Sequence, residues 1–176
     1  DKYQVVLIFD EVVTGFRFHR GGYQSVCGVT PDLACFSKAM GNGTPIAALV
    51  GKHDIMRECP NMFYSLTFAG ETLSLAAAKA VMEVIDEENV PQVLDENGRH
   101  LMDEINSQIK KYGLQDVVVI GGFPCRSVMN FSDTQDISAT DILTYWIQEL
   151  TKKGIITAGY HMVSFAHQKP DIDYLL

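Results

Sequence analysis

The sequence has no long apolar run, no basic stretch and few cysteines, and each absence removes a class of function. No segment approaches the roughly 18 apolar residues of a membrane-spanning helix, so a membrane is not an expected partner. Lysine and arginine nowhere cluster, and 14 basic against 22 acidic residues give a net charge of −8. Nucleic acid is therefore not expected either, because phosphate binding needs a concentrated positive field. The four cysteines, Cys27, Cys35, Cys59 and Cys125, form no CxxC pair and lack the close His/Cys spacing of a zinc site. Scattered reduced thiols and no metal centre are the expectation. Internal repeats, the full dinucleotide and P-loop strings and the hydrolase signatures are all missing, although Gly41-x-Gly43 shares two glycines with a nucleotide loop. What is present is 176 residues, 47% hydrophobic and 20% charged, an ordinary globular composition with room for one domain or two small ones.

The chain opens Asp1-Lys2-Tyr3 with no charged-then-apolar leader in view, which favours a cytoplasmic setting. Val5–Phe9 is an apolar run of the kind buried on both faces of a parallel sheet, and chains seldom begin on a central strand. A fragment of a longer protein is expected, and Pro170–Leu176 agrees, reading as a helix start cut short. Leu33–Phe36 and Ile46–Val50 supply two more short strands around the turn Gly41-Asn42-Gly43-Thr44-Pro45, which points to an α/β layer. From Leu73 the apolar positions Ala76, Ala77, Ala80, Val81, Val84 and Ile85 follow helical spacing and predict an amphipathic helix with that stripe inward. A break at Asp86–Asn89 suggests a domain boundary near 88, with residues 89–176 forming a small α+β domain. Within it, Leu101, Ile105 and Ile109 mark a helix ending near Gly113, and Ala139–Leu150 marks another, capped by Ser138 and stopped by Gly154. Val117–Ile120, a Gly121-Gly122 turn, Ser127–Phe131, Ile155–Thr157 and Met162–Phe165 read as strands and their connection.

Asp10 and Glu11 directly follow the first strand, at the carboxyl end where α/β sheets place ligands. Lys38 stands just beyond the second strand, at the edge of an apolar run, where the charged form of an amine is disfavoured and Schiff-base chemistry becomes accessible. An aspartate after a strand also serves as a cap or loop ion pair, and a lysine beside a glycine turn is often simply solvated. His161, His167, Arg17 and Arg126 read as structural, with a substrate carboxylate as the alternative partner of the arginines. Ser37 and Cys35 have no base in view.

Three strings carry a resemblance. Phe9-Asp10-Glu11-Val12-Val13-Thr14-Gly15-Phe16-Arg17, Gly28-Val29-Thr30-Pro31-Asp32-Leu33 and Ser37-Lys38-Ala39-Met40-Gly41-Asn42-Gly43-Thr44-Pro45 resemble the central signature of class III pyridoxal-phosphate (PLP) aminotransferases. Thr14-Gly15-Phe16-Arg17 and Gly21-Gly22-Tyr23-Gln24 are most similar to glutamate-1-semialdehyde 2,1-aminomutases. The resemblance implies the second half of a fold-type-I PLP-dependent transferase, with residues 1–88 in the large domain and 89–176 as the small α+β C-terminal domain. It implies that Lys38 forms the Schiff base and moves the proton, and that Asp10 pairs with the ring nitrogen. Val12, on the same side of the extended segment as Asp10, packs on the ring in this reading or serves as plain core. Thr67, in Ser65-Leu66-Thr67-Phe68-Ala69-Gly70, resembles the threonine that holds the cofactor phosphate of a neighbouring subunit, or else helps to start a helix whose N-terminus suits an anion. A homodimer and a small amino/keto substrate follow from the resemblance. Where the family commonly has Gly-Asn-Pro after that threonine, this chain has Gly70-Glu71-Thr72, which brings a negative charge near the phosphate. An aminotransferase acting between separate amino donor and keto or aldehyde acceptor, sugars included, and an inactive fragment or interaction module are the competing readings.

Overall fold

The computed structural model describes residues 3, 5–63 and 65–176; Asp1 and Lys2, on which the reading of a missing leader partly rests, lie outside them. The chain divides into two compact units, Asp1–Pro91 and Gln92–Leu176. The break read near residue 88 falls in the link between two helices, α3 (Thr72–Glu87) and α4 (Val90–Lys111), where Asn89 turns the chain with a positive φ of 48°.

The first unit is built on a three-stranded sheet of β1 (Ile8–Asp10), β2 (Leu33–Phe36) and β3 (Ala48–Gly51). β1 runs parallel to β2, with Asp10 opposite Cys35, and β3 returns antiparallel on the other side of β2. Short helices α1 (Tyr23–Cys27) and α2 (His53–Met56) follow β1 and β3. Ala34, Phe36 and Met40 form the core with Ala78 of α3, supported by Phe9, Phe16, Ile46 and Ala48. The methyl side chain of Ala78 lets α3 pack closely behind the turn that carries Lys38.

Two expectations fail in this unit. Val5–Phe9 is not buried on both faces: regular pairing begins at Ile8, and Val5, Val6, Leu7 and Ile8 are exposed. Among the described residues β1 is an edge strand, and only Phe9 turns into the core. Helix α3 forms where its period predicts, and Ile85 of the expected stripe is buried with Ala77 and Val81 half-buried, yet Ser74 and Ala78 take the other inward places while Leu73, Ala76, Ala80 and Val84 face outward. The helix is apolar over much of its circumference, so its period fixes the helix without choosing which apolar stripe meets the sheet.

The second unit packs α4 and α5 (Ala139–Lys152) against an antiparallel sheet of β4 (Val118–Phe123), β5 (Arg126–Phe131) and β6 (Tyr160–His161), with α6 (Lys169–Leu175) following. Ile109, Val118, Ile120 and Met129 form its core with Met102, Ile105, Phe131 and Trp146 around them. Gly113, with φ 66°, ends the α4 segment as its left-handed stop, and Leu114 N–H returns to Ile109 C=O at 2.9 Å. Gly98 lies so close to the Pro124 carbonyl that a Cβ there would collide with it. The Gly121-Gly122 turn is not a turn: both glycines stay in β4 opposite Val128 and Ser127, and the chain reverses at Pro124-Cys125, between the paired Phe123 and Arg126. Proline cannot donate to the ladder, so it marks the reversal better than extended glycines do. Residues 155–157 and 162–165 are irregular, and the strand of this region is Tyr160–His161 between them. None of the described helices is long and apolar enough to cross a membrane.

Candidate active site

Parallel pairing of β1 with β2 puts their carboxyl ends side by side, and both reactive candidates stand there. Asp10 closes β1 with its carboxylate exposed, and its Oδ1 accepts a hydrogen bond from Val12 N–H at 3.0 Å. Lys38 opens a single 3₁₀ turn, Lys38–Met40, directly after β2 and Ser37. The topology thus brings Asp10 and Lys38 to one edge of the sheet, the usual ligand edge of an α/β layer.

The Lys38 turn is built for rigidity. Lys38 itself adopts a left-handed φ of 42°, a conformation that costs a residue with a Cβ energy and that concentrates at functional sites. Its carbonyl accepts from Gly41 N–H at 3.1 Å and Asn42 N–H at 2.9 Å. Ser37 Oγ donates to Ile46 C=O at 2.7 Å, so the residue before the lysine is tied to the far side of the glycine turn. Gly41 is buried where a Cβ would strike Ile46 and Thr44. The ammonium side chain is exposed, so the apolar surroundings expected around it are not built by the described residues.

Val12 is half-buried and lies in the turn 12–14 that follows β1, so the extended segment expected to set it on the same side as Asp10 ends before it. Thr67 is exposed in the turn 67–70 that precedes α3, and it makes no hydrogen bond to Asp10 or Lys38 among the described residues. The N-terminus of α3, proposed from sequence as favourable to a phosphate, is already satisfied. Glu71 caps it, accepting from Leu73 N–H at 2.8 Å, Ser74 N–H at 2.7 Å and Ser74 Oγ at 2.6 Å. The Ser74 hydroxyl first, then those two amides, hold the Glu71 carboxyl below its ordinary pKa. The departure Gly70-Glu71-Thr72 is therefore a helix cap, and an incoming anion near Thr67 would depend on the turn rather than on these amides.

Glu11 is the functional-region residue whose role sequence reasoning missed. It is 1% exposed, the one buried carboxylate among the described residues, and it accepts from Tyr23 N–H at 2.8 Å, Gln24 N–H at 2.9 Å and Thr14 Oγ1. The signal was available in part, because a carboxylate directly after an apolar strand needs donors if it is buried.

Three of the remaining candidates make contacts within their own unit. His161 is buried with Ser127 Oγ at 3.2 Å from its Nδ1 and Trp146 edge-on to its ring, and burial lowers its pKa. His167 Nδ1 accepts from Ser164 N–H, and the Arg126 guanidinium lies over the Tyr160 ring at 5.7 Å. No group of three potential metal ligands converges among the described residues.

The mixed sheet thus presents an aspartate, and a lysine with left-handed backbone, at the carboxyl ends of adjacent parallel strands. The chain belongs to the class-III aminotransferase family, whose family model matches residues 1–169. It is 33% identical over 189 residues to the glutamate-1-semialdehyde 2,1-aminomutase of Syntrophobacter fumaroxidans, a match covering 100% of this chain and 43% of that protein. It is 31% identical to the 3-aminobutyryl-CoA aminotransferase of Cloacimonas acidaminovorans, covering 99% and 42%. Among solved structures, the PLP internal aldimine form of FumI from Sphingopyxis sp. MTA144 matches with a TM-score of 0.89 and 26% identity over 99% of this chain and 42% of that one. The fold is that of the PLP-dependent transaminases, fold type I. The chain spans less than half the length of the curated relatives it matches.

Proposed function

We propose that this chain carries the lysine-bearing part of a PLP-dependent enzyme of amino-group transfer, similar in kind to glutamate-1-semialdehyde aminomutase. The observation that carries the reading is the placement of Asp10 and Lys38 at the carboxyl ends of adjacent parallel strands in a chain that matches the family over residues 1–169. Pyridoxal phosphate, when bound, supplies an aldehyde for the lysine and an electron sink for a carbanion next to the substrate nitrogen. The chain's own residues then divide the work. Lys38 would hold the cofactor through its amine and move the substrate proton, its side chain issuing from a backbone turn that is tied on both sides. Asp10 would pair with the ring nitrogen, Val12 would pack on the ring, and Thr67 would hold the phosphate, in a homodimer that of the neighbouring subunit.

In this reading residues 1–88 belong to the PLP-binding large domain and 89–176 to a small C-terminal α+β domain. The substrate is a small amino/keto compound, and the setting is cytoplasmic, in keeping with four free cysteines. A second reading, transfer between separate amino donor and keto or aldehyde acceptor, is favoured by the similarity to an aminotransferase. Release of a keto acid from an added amino donor distinguishes it from an aminomutase, which releases none. The test of the site itself is Asp10→Asn, which is expected to retain the cofactor while slowing proton abstraction by about a hundredfold or more, as loss of one preorganised electrostatic partner does. Unimpaired proton exchange in that variant would contradict the assignment of Asp10.

A further inference from the structure

Glu11 stands between two residues with proposed cofactor roles, yet its own side chain is buried. β1 ends at Asp10 and residues 12–14 turn, so buried Glu11 stands at the junction itself, with exposed Asp10 before it and half-buried Val12 after it. The residue is fixed from every direction. Its N–H donates to Cys35 C=O at 2.9 Å, carrying the β1–β2 pairing one step beyond Asp10, and its carbonyl accepts from Gly15 N–H at 2.8 Å. Its carboxylate reaches across the loop to Tyr23 N–H and Gln24 N–H, at the start of α1, and to the Thr14 hydroxyl. One side chain thereby closes both ends of the loop that leaves the strand at Asp10.

The loop is shaped to that carboxylate. Gly22, with φ 80°, sits where a Cβ would collide with the Glu11 carboxyl group, and Gly15 sits where one would meet Phe36 and the Glu11 carbonyl. A buried carboxylate is an expensive way to fill space, since an apolar side chain packs there without desolvation cost. What the carboxylate supplies and an apolar side chain lacks is direction, through charge-assisted hydrogen bonds to particular donors.

We propose that Glu11 is a positioning residue: by locking the junction between β1 and its loop, it fixes the direction in which Asp10 presents its carboxylate to the ring nitrogen of the cofactor. This rests on the assignment of Asp10 as the ring-nitrogen partner. With the junction loosened, Asp10 samples other directions and holds the ring proton less well.

The test loads the chain with PLP labelled with nitrogen-15 in the ring and follows the pH at which the ring nitrogen loses its proton, in the wild type and in Glu11→Gln, Thr14→Val and Asp10→Asn. Glu11→Gln keeps the size of the side chain but aims an amide nitrogen at N–H donors. Thr14→Val removes a single donor to the same carboxylate and leaves the backbone ties intact. Both are expected to move ring deprotonation down, Glu11→Gln by about one pH unit, a tenfold loss of ring protonation at fixed pH, and Thr14→Val by less. Faster amide exchange at Tyr23 and Gln24 without cofactor is expected in both. A folded Glu11→Gln whose ring titration matches the wild type overturns the proposal. If that variant does not fold, an unchanged titration in Thr14→Val overturns it alone. Wild-type titration in Asp10→Asn instead brings down the assignment of Asp10 on which the proposal rests.

Discussion

The two units are built on different terms. The Gln92–Leu176 unit covers its sheet with its own helices, and Trp146 closes the core against Phe131 and His161. The Asp1–Pro91 unit holds the reactive residues on a sheet of three short strands and leaves much apolar surface outward. Val5–Ile8, Leu49 and Val50 are exposed, Phe63 is 98% exposed, and α3 shows Leu73, Leu75 and Val84 to solvent. The second unit also leaves apolar side chains outward, Ile156 at 94% exposure among them, so the units differ chiefly in that the proposed reactive residues stand on the first alone.

The comparison can be broken by mutation. Trp146→Ala is expected to cost the second unit about 3 kcal/mol, the low end for a large aromatic because the ring is half-buried. Covalent capture of PLP by Lys38 is expected to be unchanged. Urea unfolding together with adduct yield checks both, and a matching loss of adduct would show that the units do not divide stability and chemistry in this way. Gly98→Ala is expected to cost about 2 kcal/mol in the same unit despite the better helix propensity of alanine, because the added Cβ meets the backbone of Pro124. An unaltered unfolding midpoint would contradict that close approach.

A smaller effect separates the units by pH. Burial holds the His161 pKa below its ordinary value, so between the two values the unfolded chain binds a proton that the folded one refuses. Stability of the second unit is then full above about pH 6.5 and falls as the pH drops below it, until the folded group protonates. In the first unit the groups held low are Asp32, chiefly by the Leu7 amide and then Lys52, and Glu71, and their contribution is lost only in the carboxylate range. Unfolding midpoints at about pH 7.5 and about pH 5.5 are expected to differ for the second unit and to coincide for the first. His161→Asn is expected to flatten the difference.

The sequence was most legible where chemistry restricts residue type. Asp10, Lys38 and the glycine turn could be read from short strings, because a strand end and a turn are local. Helices α3, α4 and α5 were legible from their period and from Ser138, Gly113 and Gly154 at their ends. The inward face of α3 was not, since a helix apolar over most of its circumference has more than one stripe to offer. Gly121-Gly122 misled because glycine accepts extended pairing as readily as a turn. Glu11 stayed hidden for a different reason: its donors at Tyr23 and Gln24 lie across a loop, and no local pattern announces such a partner.

The most direct test of the account is to incubate the chain with PLP, reduce with borohydride and map the modified lysine by peptide mass spectrometry, with Lys38→Ala alongside. The account predicts one adduct, on Lys38, absent from the variant. An adduct spread over exposed lysines such as Lys52 and Lys79, or a variant that captures as much cofactor as the wild type, would contradict it.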